Sequence, residues 1–271
     1  MKFMLITNNP KLASYAKKCG VGRIFIDLEV NGKQKRQGHL DTLISQHLMS
    51  DIPVVKKSIN DLELLVRLNP LHNNTQSEVD QAIELGSDLL MLPMFYSANE
   101  LHEFSRIVDG RVGIIPLVET HNAMLDMHNI VKVSGLSEIY IGLNDLHLDM
   151  GLKFMFEPLE NGIIDKVVEV IRPTNIPFGF GGIARVGEGV IPGELVLAEH
   201  IRLGSSSVIL SRTFHRSGND MRGFAENINL KLELDKLFLK IDGLKCRSSE
   251  KIERDRLNMQ VSIRQVIKKK L

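Results

Sequence analysis

A single (β/α)8 barrel is the fold this sequence predicts, and three observations carry it. Eight apolar runs of strand length alternate with amphipathic stretches of helix length. The runs are continuous, not alternating, which marks parallel strands covered on both faces. The 271 residues hold eight such units with a short remainder. A doubly wound open sheet is the competing architecture. It needs a phosphate loop after the first strand, where this chain has Thr7-Asn8-Asn9 and no glycine fingerprint.

The first run, Phe3 to Ile6, leads to a helix from Pro10 to Lys18 with Pro early in its first turn. The second, Arg23 to Leu28, is followed by a helical stretch around Leu40 to His47. The third, Leu62 to Leu68, precedes a helix from Ser77 to Leu85 stopped at Gly86. Leu89 to Leu92 is the fourth, with a helix from Ala98 to Val108. Val112 to Val118 is the fifth, with a helix from Asn122 to Val133. Ile139 to Ile141 is the sixth, and its helix runs from Gly162 to Ile171 before Pro173. Pro177 to Phe180 is the seventh, with a helix from Pro192 to Leu203 ending at Gly204. Val208 to Leu210 is the eighth, with a long helix from about Phe214 onward. The barrel is expected over 1–243 and a C-terminal helical extension over 244–271. Within that extension Leu257, Val261, Ile267 and Leu271 stand near helical spacing. Two readings stay open for it: a solvated basic tail, or a helix packing on a neighbouring subunit.

Composition removes several classes of function. Hydrophobic residues make up 43% and charged residues 25%, an ordinary globular balance. The formal net charge of +1 gives no global case for nucleic acid or an anionic membrane. Trp is absent and Tyr occurs three times, so no platform exists for stacking bases. Cys19 and Cys246 are the only cysteines and form no disulfide framework. No signal peptide and no apolar run of spanning length is seen, so a cytoplasmic location is expected.

In such a barrel the active site forms at the carboxyl ends of the strands. Asp27 and Glu29 follow strand two, Arg67 and Asn69 strand three, and Pro93 and Met94 strand four. Glu119 follows strand five, Asn144 and Asp145 strand six, Gly181 and Gly182 strand seven, and Ser211 and Arg212 strand eight. Glu119 and Asp145, at the ends of consecutive strands, make a seat for a hard divalent cation such as Mg2+ or Mn2+. Taken singly, each also reads as an acid complementing a helix dipole. Arg67 offers a planar fork suited to a carboxylate, or a salt bridge to Asp27 or Glu29. Gly181-Gly182 with Ser211-Arg212 sits where barrels often hold a phosphate, or forms a tight turn. Lys33, Lys35 and Arg36 lie in a basic stretch after strand two, which recognises an anionic substrate or is a solvated loop. His39 either moves a proton or faces solvent. No strand ends near Lys, which disfavours Schiff-base chemistry.

Five segments, in order, resemble the HpcH/HpaI aldolase and citrate lyase beta-subunit family. They are Phe25-Ile-Asp-Leu-Glu29, Val66-Arg-Leu-Asn69, Leu90-Met-Leu-Pro-Met94, Leu117-Val-Glu-Thr120 and Ile141-Gly-Leu-Asn-Asp-Leu-His-Leu-Asp-Met-Gly151. The resemblance implies a carbon–carbon lyase, a metal-dependent (class II) aldolase acting through a pyruvate enolate on an oxo-acid substrate. Its partner is then a polar or phosphorylated aldehyde. By the same resemblance Glu119 and Asp145 hold the metal, Arg67 binds the oxo-acid, and the backbone near Pro93-Met94 lines the carboxylate pocket. Asp27 and Glu29 then orient Arg67 or a water on the metal, and the chain forms a homo-oligomer. An acyl-CoA lyase of the citrate lyase type is the alternative, as is a barrel kept only for binding or assembly. One position departs from the pattern. Aldolase-branch members carry His directly after the acid of the strand-two motif, and here that place is Val30. The base is then His39, Glu29 or a water on the metal.

Overall fold

Inward-facing side chains change character along the barrel axis, and this layering places the site. The structure, a computed structural model, describes residues 1–32, 46–214 and 229–270. Eight parallel strands close in sequence order: β1 (Lys2–Ile6), β2 (Arg23–Asp27), β3 (Glu63–Arg67), β4 (Leu89–Leu92), β5 (Gly113–Val118), β6 (Ile139–Ile141), β7 (Phe178–Ile183) and β8 (Ser207–Leu210). At the amino ends the interior is polar. Arg23 donates to Glu138 at 2.9 Å and to Glu63 at 3.1 Å, and the Ser207 hydroxyl donates to Glu138. The middle is apolar, filled by Met4, Phe25, Leu65, Leu89, Met91, Ile115, Leu117 and Tyr140. The carboxyl ends are charged again. Ionisable groups excluded from the middle collect at the two rims, because a charge is costly to bury without a partner.

The first wall helix, α1 (Pro10–Cys19), starts on Asn9, whose side chain accepts from the Lys11 and Leu12 N–H groups, and stops at Gly20. The wall continues through α2 (Asp51–Ile59), α3 (Thr75–Glu84), α4 (Ala98–Val108), α5 (His121–Leu125) and α6 (Met127–Ile130). It is completed by α7 (Leu143–Asp149), α8 (Glu157–Glu160), α9 (Ile163–Ile171), α10 (Gly193–Leu203), α11 (Leu230–Lys245) and α12 (Ser249–Lys270). No helix among the described residues is long and apolar enough to cross a membrane.

Several boundaries differ from the sequence expectation, each for a physical reason. Residues 40–45 of the expected second helix lie outside the described residues, and 46–48 are not helical. The helix of that unit is α2, whose Ile52, Val55 and Ile59 face the core; its Pro53 sits in the first turn, where no N–H is needed. The stretch Asn122 to Val133 is two short helices divided at Asp126. Helix α7, which the strand-helix pattern did not include, begins directly after β6, so Asp145 stands in its first turn, in line with its reading as an acid complementing a helix dipole. Strand β7 runs on to Ile183, so Gly181 and Gly182 lie inside the strand. After β8 a 3-10 turn spans Arg212–Phe214; residues 215–228 of the expected long helix lie outside the described residues, and α11 runs from Leu230.

The C-terminal segment is a helix docked on its own barrel, not a frayed tail. Met259 and Ile263 of α12 are fully buried. Gln260 donates to the Glu160 carbonyl at 3.2 Å, Arg264 to the Glu160 carboxylate at 2.7 Å, and Arg247 to the Ala198 carbonyl at 3.0 Å. The inward stripe is therefore Met259-Ile263, with Val266 and Ile267 beside it. Leu257 and Val261, expected on that stripe, are each 51% exposed.

One buried histidine makes the fold sensitive to acid. His200 of α10 is completely buried, stacked on Phe180 at 3.8 Å between ring centroids, with its Nδ1 2.8 Å from the Ser205 hydroxyl. Burial pushes its pKa down to about 3 from 6.5. The unfolded chain takes up this proton and the folded chain does not, so stability is present above pH ~6.5 and is lost as pH falls below it. Between pH 7 and 5 this residue accounts for a loss of about 2 kcal/mol in the unfolding free energy. Urea denaturation of the wild type and His200→Gln across that window tests it. The variant's stability profile is expected to be flatter by that amount, and parallel profiles would contradict the assignment.

Candidate active site

Strands β2 and β3 pair so that their last residues, Asp27 and Arg67, lie side by side. Arg67 Nε donates to Asp27 Oδ1 at 2.8 Å and Nη2 to Asp27 Oδ2 at 2.9 Å. The same Nη2 stands 3.3 Å from Glu29 Oε2, and the guanidinium lies over the Phe25 ring at 5.7 Å. Asp27 and Glu29 are each 2% exposed. Burial alone would lower the Arg67 pKa, but the charges of Asp27 and Glu29 outweigh it and raise it. Arg67 therefore stays cationic, with two of its three nitrogens committed to carboxylates.

The backbone above β2 is held from two sides. The Asp27 N–H donates to His47 Nδ1 at 3.0 Å. That bond fixes the tautomer, so the proton of the neutral ring is on Nε2. His47 was not picked out from the sequence: it stands twenty residues beyond Asp27, and no spacing signal links them. On the other side Asn69 Oδ1 accepts from the Val30 N–H at 2.9 Å and the Asn31 N–H at 3.0 Å. Its Nδ2 donates to Glu78 at 2.6 Å. The Asn69 side chain thus anchors the segment that leaves β2. Val30 is exposed at that point.

Glu119 directly follows β5 and is 2% exposed. Its Oε1 accepts from the Met94 N–H at 3.1 Å, with Met94 held at φ +49°. Pro93 is buried beside it. The helix-capping role belongs to the next residue, Thr120, whose hydroxyl accepts from Ala123 N–H and donates to the Phe95 carbonyl. Strand β6 ends against β5, and Gly142 then starts α7. A Cβ on Gly142 would lie 2.7 Å from Glu119 Oε2 and 2.8 Å from Glu119 Cβ, so glycine is what lets the helix start this close. Asp145 follows in the first turn of α7, 7% exposed. Burial and the nearby charge of Asp145 raise the Glu119 pKa well above the ordinary carboxylate range, and the Arg67 charge only partly opposes them. Asp27, Glu29, Glu119 and Asp145 thus share one rim with Arg67.

The remaining sequence candidates lie around β7 and β8. Gly181 has φ +52°, and the β7–β8 register shifts between Gly179 and Gly182. Ser211 N–H donates to the Ile183 carbonyl at 2.9 Å, and its hydroxyl lies 3.2 Å from that of Thr213. Arg212 is exposed. His39, Lys33, Lys35 and Arg36 lie outside the described residues.

Against known proteins, the family model described as HpcH/HpaI aldolase/citrate lyase matches residues 2–176. The chain belongs to the HpcH/HpaI aldolase/citrate lyase family. The resemblance drawn from the five motifs is thereby borne out, and the matched span contains Asp27, Glu29, Arg67, Glu119 and Asp145. Solved structures share the fold. An HpcH/HpaI aldolase/citrate lyase family protein from Burkholderia cenocepacia has a TM-score of 0.63 at 14% identity, over 79% of this chain and 90% of that one. RipC from Yersinia pestis has a TM-score of 0.54 at 19% identity, over 93% of this chain and 98% of its own. CitE from Mycobacterium tuberculosis, solved with magnesium, acetoacetate and coenzyme A, has a TM-score of 0.56 at 14% identity, over 96% and 86%. None of the curated proteins searched matches this chain.

The Asp27–Arg67–Glu29 cluster makes a direct prediction for this family member. Arg67→Met leaves two buried carboxylates without their cation and is expected to cost about 3–5 kcal/mol at pH 7.5. The cost shrinks at pH 5, where one carboxyl takes up a proton. Urea denaturation at both pH values reads it. An equal loss at each, or none, would contradict the assigned ion cluster.

Proposed function

We propose that the chain is a metal-dependent carbon–carbon lyase of the aldolase kind, working through a pyruvate enolate with a polar or phosphorylated aldehyde as partner. The observation that carries this reading is the buried approach of Glu119 and Asp145. Burial and the charge of Asp145 raise the proton affinity of Glu119, and a carboxyl so placed is well matched to a hard cation. No group of three or more His, Cys, Asp or Glu suited to a metal occurs among the described residues. That donor set fits Mg2+ or Mn2+, which take one or two protein carboxylates, better than zinc. Glu119 and Asp145 would hold the ion. When bound, it supplies a Lewis acid that lowers the cost of the enolate's developing charge.

The rest of the chemistry falls to the chain's own groups. Cleavage beside a carbonyl builds negative charge on one oxygen, and a preorganised donor there is worth about 3 kcal/mol. Arg67 supplies it. Its Nε and Nη2 are held by Asp27 and Glu29, so among the described residues Nη1 is the nitrogen left to meet substrate. In this reading Arg67 acts as a one-point donor to the enolate oxygen, not as a two-point clamp on the carboxylate. Asp27 and Glu29 orient it, and Asn69 steadies the segment above. The backbone around Pro93 and Met94 lines the oxo-acid space. Gly181, Gly182, Ser211 and Arg212 border the space for the second substrate. Among the chain's own side chains, Glu29 and His39 are the candidates for moving the hydroxyl proton, with a water on the metal as the alternative.

An acyl-CoA substrate is the second reading. It is favoured by the acid pair after β2 and by the fold shared with CitE, itself solved with coenzyme A. Comparing malyl-CoA with small hydroxy-oxo-acids as substrates separates the two.

Turnover by the metal-stripped protein, before and after Mg2+ or Mn2+ is restored, tests the main proposal. Glu119→Gln and Asp145→Asn are expected to keep the fold and lose about a thousandfold in turnover, roughly 4 kcal/mol. Full activity in EDTA would refute it.

A further inference from the structure

Tyr140, a residue outside the proposed chemistry, ties β7 to β8 through its hydroxyl. Its ring lies inside the barrel, 1% exposed, and its hydroxyl makes two bonds. It donates to the Gly181 carbonyl at 2.6 Å and accepts from the Ile209 N–H at 2.9 Å. Those groups belong to β7 and β8, where their register shifts between Gly179 and Gly182. A shifted register withdraws backbone groups from the ladder, and each one buried without a partner costs about 1–3 kcal/mol. The phenol satisfies one group on each strand.

The glycines of β7 fit this arrangement. A Cβ on Gly179 would lie 2.6 Å from Tyr140 Cε2, so its absence makes room for the ring. A Cβ on Gly181 would lie 2.8 Å from Leu143 Cδ1, so its absence makes room for Leu143. Leu143 is the first residue of α7, and Asp145 stands two residues further along. The start of α7 is thus seated against Glu119 through Gly142 and against β7 through Leu143. The Tyr140 hydroxyl holds the β7 side of that seat.

We infer that Tyr140 is a positioning residue for the carboxylate pair: through Gly181 and Leu143 it sets the place of Asp145, and with it the affinity of the site for a divalent cation. This rests on the reading of Glu119 and Asp145 as the metal pair. Partners behind the direct ligands commonly change metal affinity 10–100-fold.

The test is Mn2+ binding by the full-length protein, followed by electron paramagnetic resonance, which needs no substrate. Tyr140→Phe keeps the ring and removes only the hydroxyl. It is expected to weaken Mn2+ binding about tenfold. Leu89→Ala, at the amino end of the same apolar interior, controls for lost stability and is expected to leave the affinity unchanged. Should Tyr140→Phe fail to fold, Gly181→Ala keeps the phenol, presses on Leu143, and is expected to weaken binding in the same way. Wild-type affinity in Tyr140→Phe, or equal weakening in Leu89→Ala, would overturn the inference. A wild-type protein that binds no Mn2+ would sink the metal reading as well, and that result is distinct from the other two.

Discussion

The close approach of β5 and α7 is the constraint on which the rest of the site depends. Glu119 and Asp145 are far apart in the chain and meet because Gly142 has no side chain to keep α7 away from Glu119. A carboxyl pair brought together in a buried place is costly, and the raised proton affinity of Glu119 is the sign of that cost. A protein keeps such a conflict where something resolves it. Arg67 resolves it for the pair Asp27 and Glu29, and in the proposed reading a bound cation would resolve it for Glu119 and Asp145.

The barrel is built to hold this conflict at one end. Its amino-terminal rim carries a set in which two cations, Arg23 and Lys2, meet two carboxylates, Glu138 and Glu63. Its middle is apolar and packed. At the carboxyl rim, among the described residues, the buried carboxyl groups Asp27, Glu29, Glu119 and Asp145 stand with one guanidinium, Arg67. Layering of this kind lets strands that read as uniformly apolar deliver ionisable groups to both ends. Their two terminal inward positions fall just at, or just beyond, the apolar run.

Most of the strand pattern was legible in the sequence. Leu89 to Leu92 and Ile139 to Ile141 are found at the expected bounds, because a buried parallel strand is an uninterrupted apolar run bounded by polar residues. The misses have a common cause: the information lay in tertiary contacts. Glycines end many strands, so Gly181-Gly182 read as a turn, whereas here they lie within β7 and Gly181 leaves space for Leu143. Helix α7 itself was missing from the strand-helix pattern because it is a single short helix of seven residues, although Asp145 already read as an acid complementing a helix dipole. On the tail, Leu257 and Val261 fit helical spacing but stand on the outer side, since spacing alone does not say which stripe meets the barrel. In the site, Arg67 was legible with both its candidate partners, and both contacts form. His47 and Tyr140 were not, because each acts through backbone groups distant in sequence.

The central claim is that Glu119 and Asp145 together bind one divalent cation beside Arg67. A crystal structure grown with Mn2+ and oxalate, a stand-in for the pyruvate enolate, tests it most directly through anomalous scattering. The account predicts one strong peak within coordination distance of both carboxylates, with oxalate lying between it and Arg67. An empty site at saturating Mn2+, or a peak held by other residues, would contradict it.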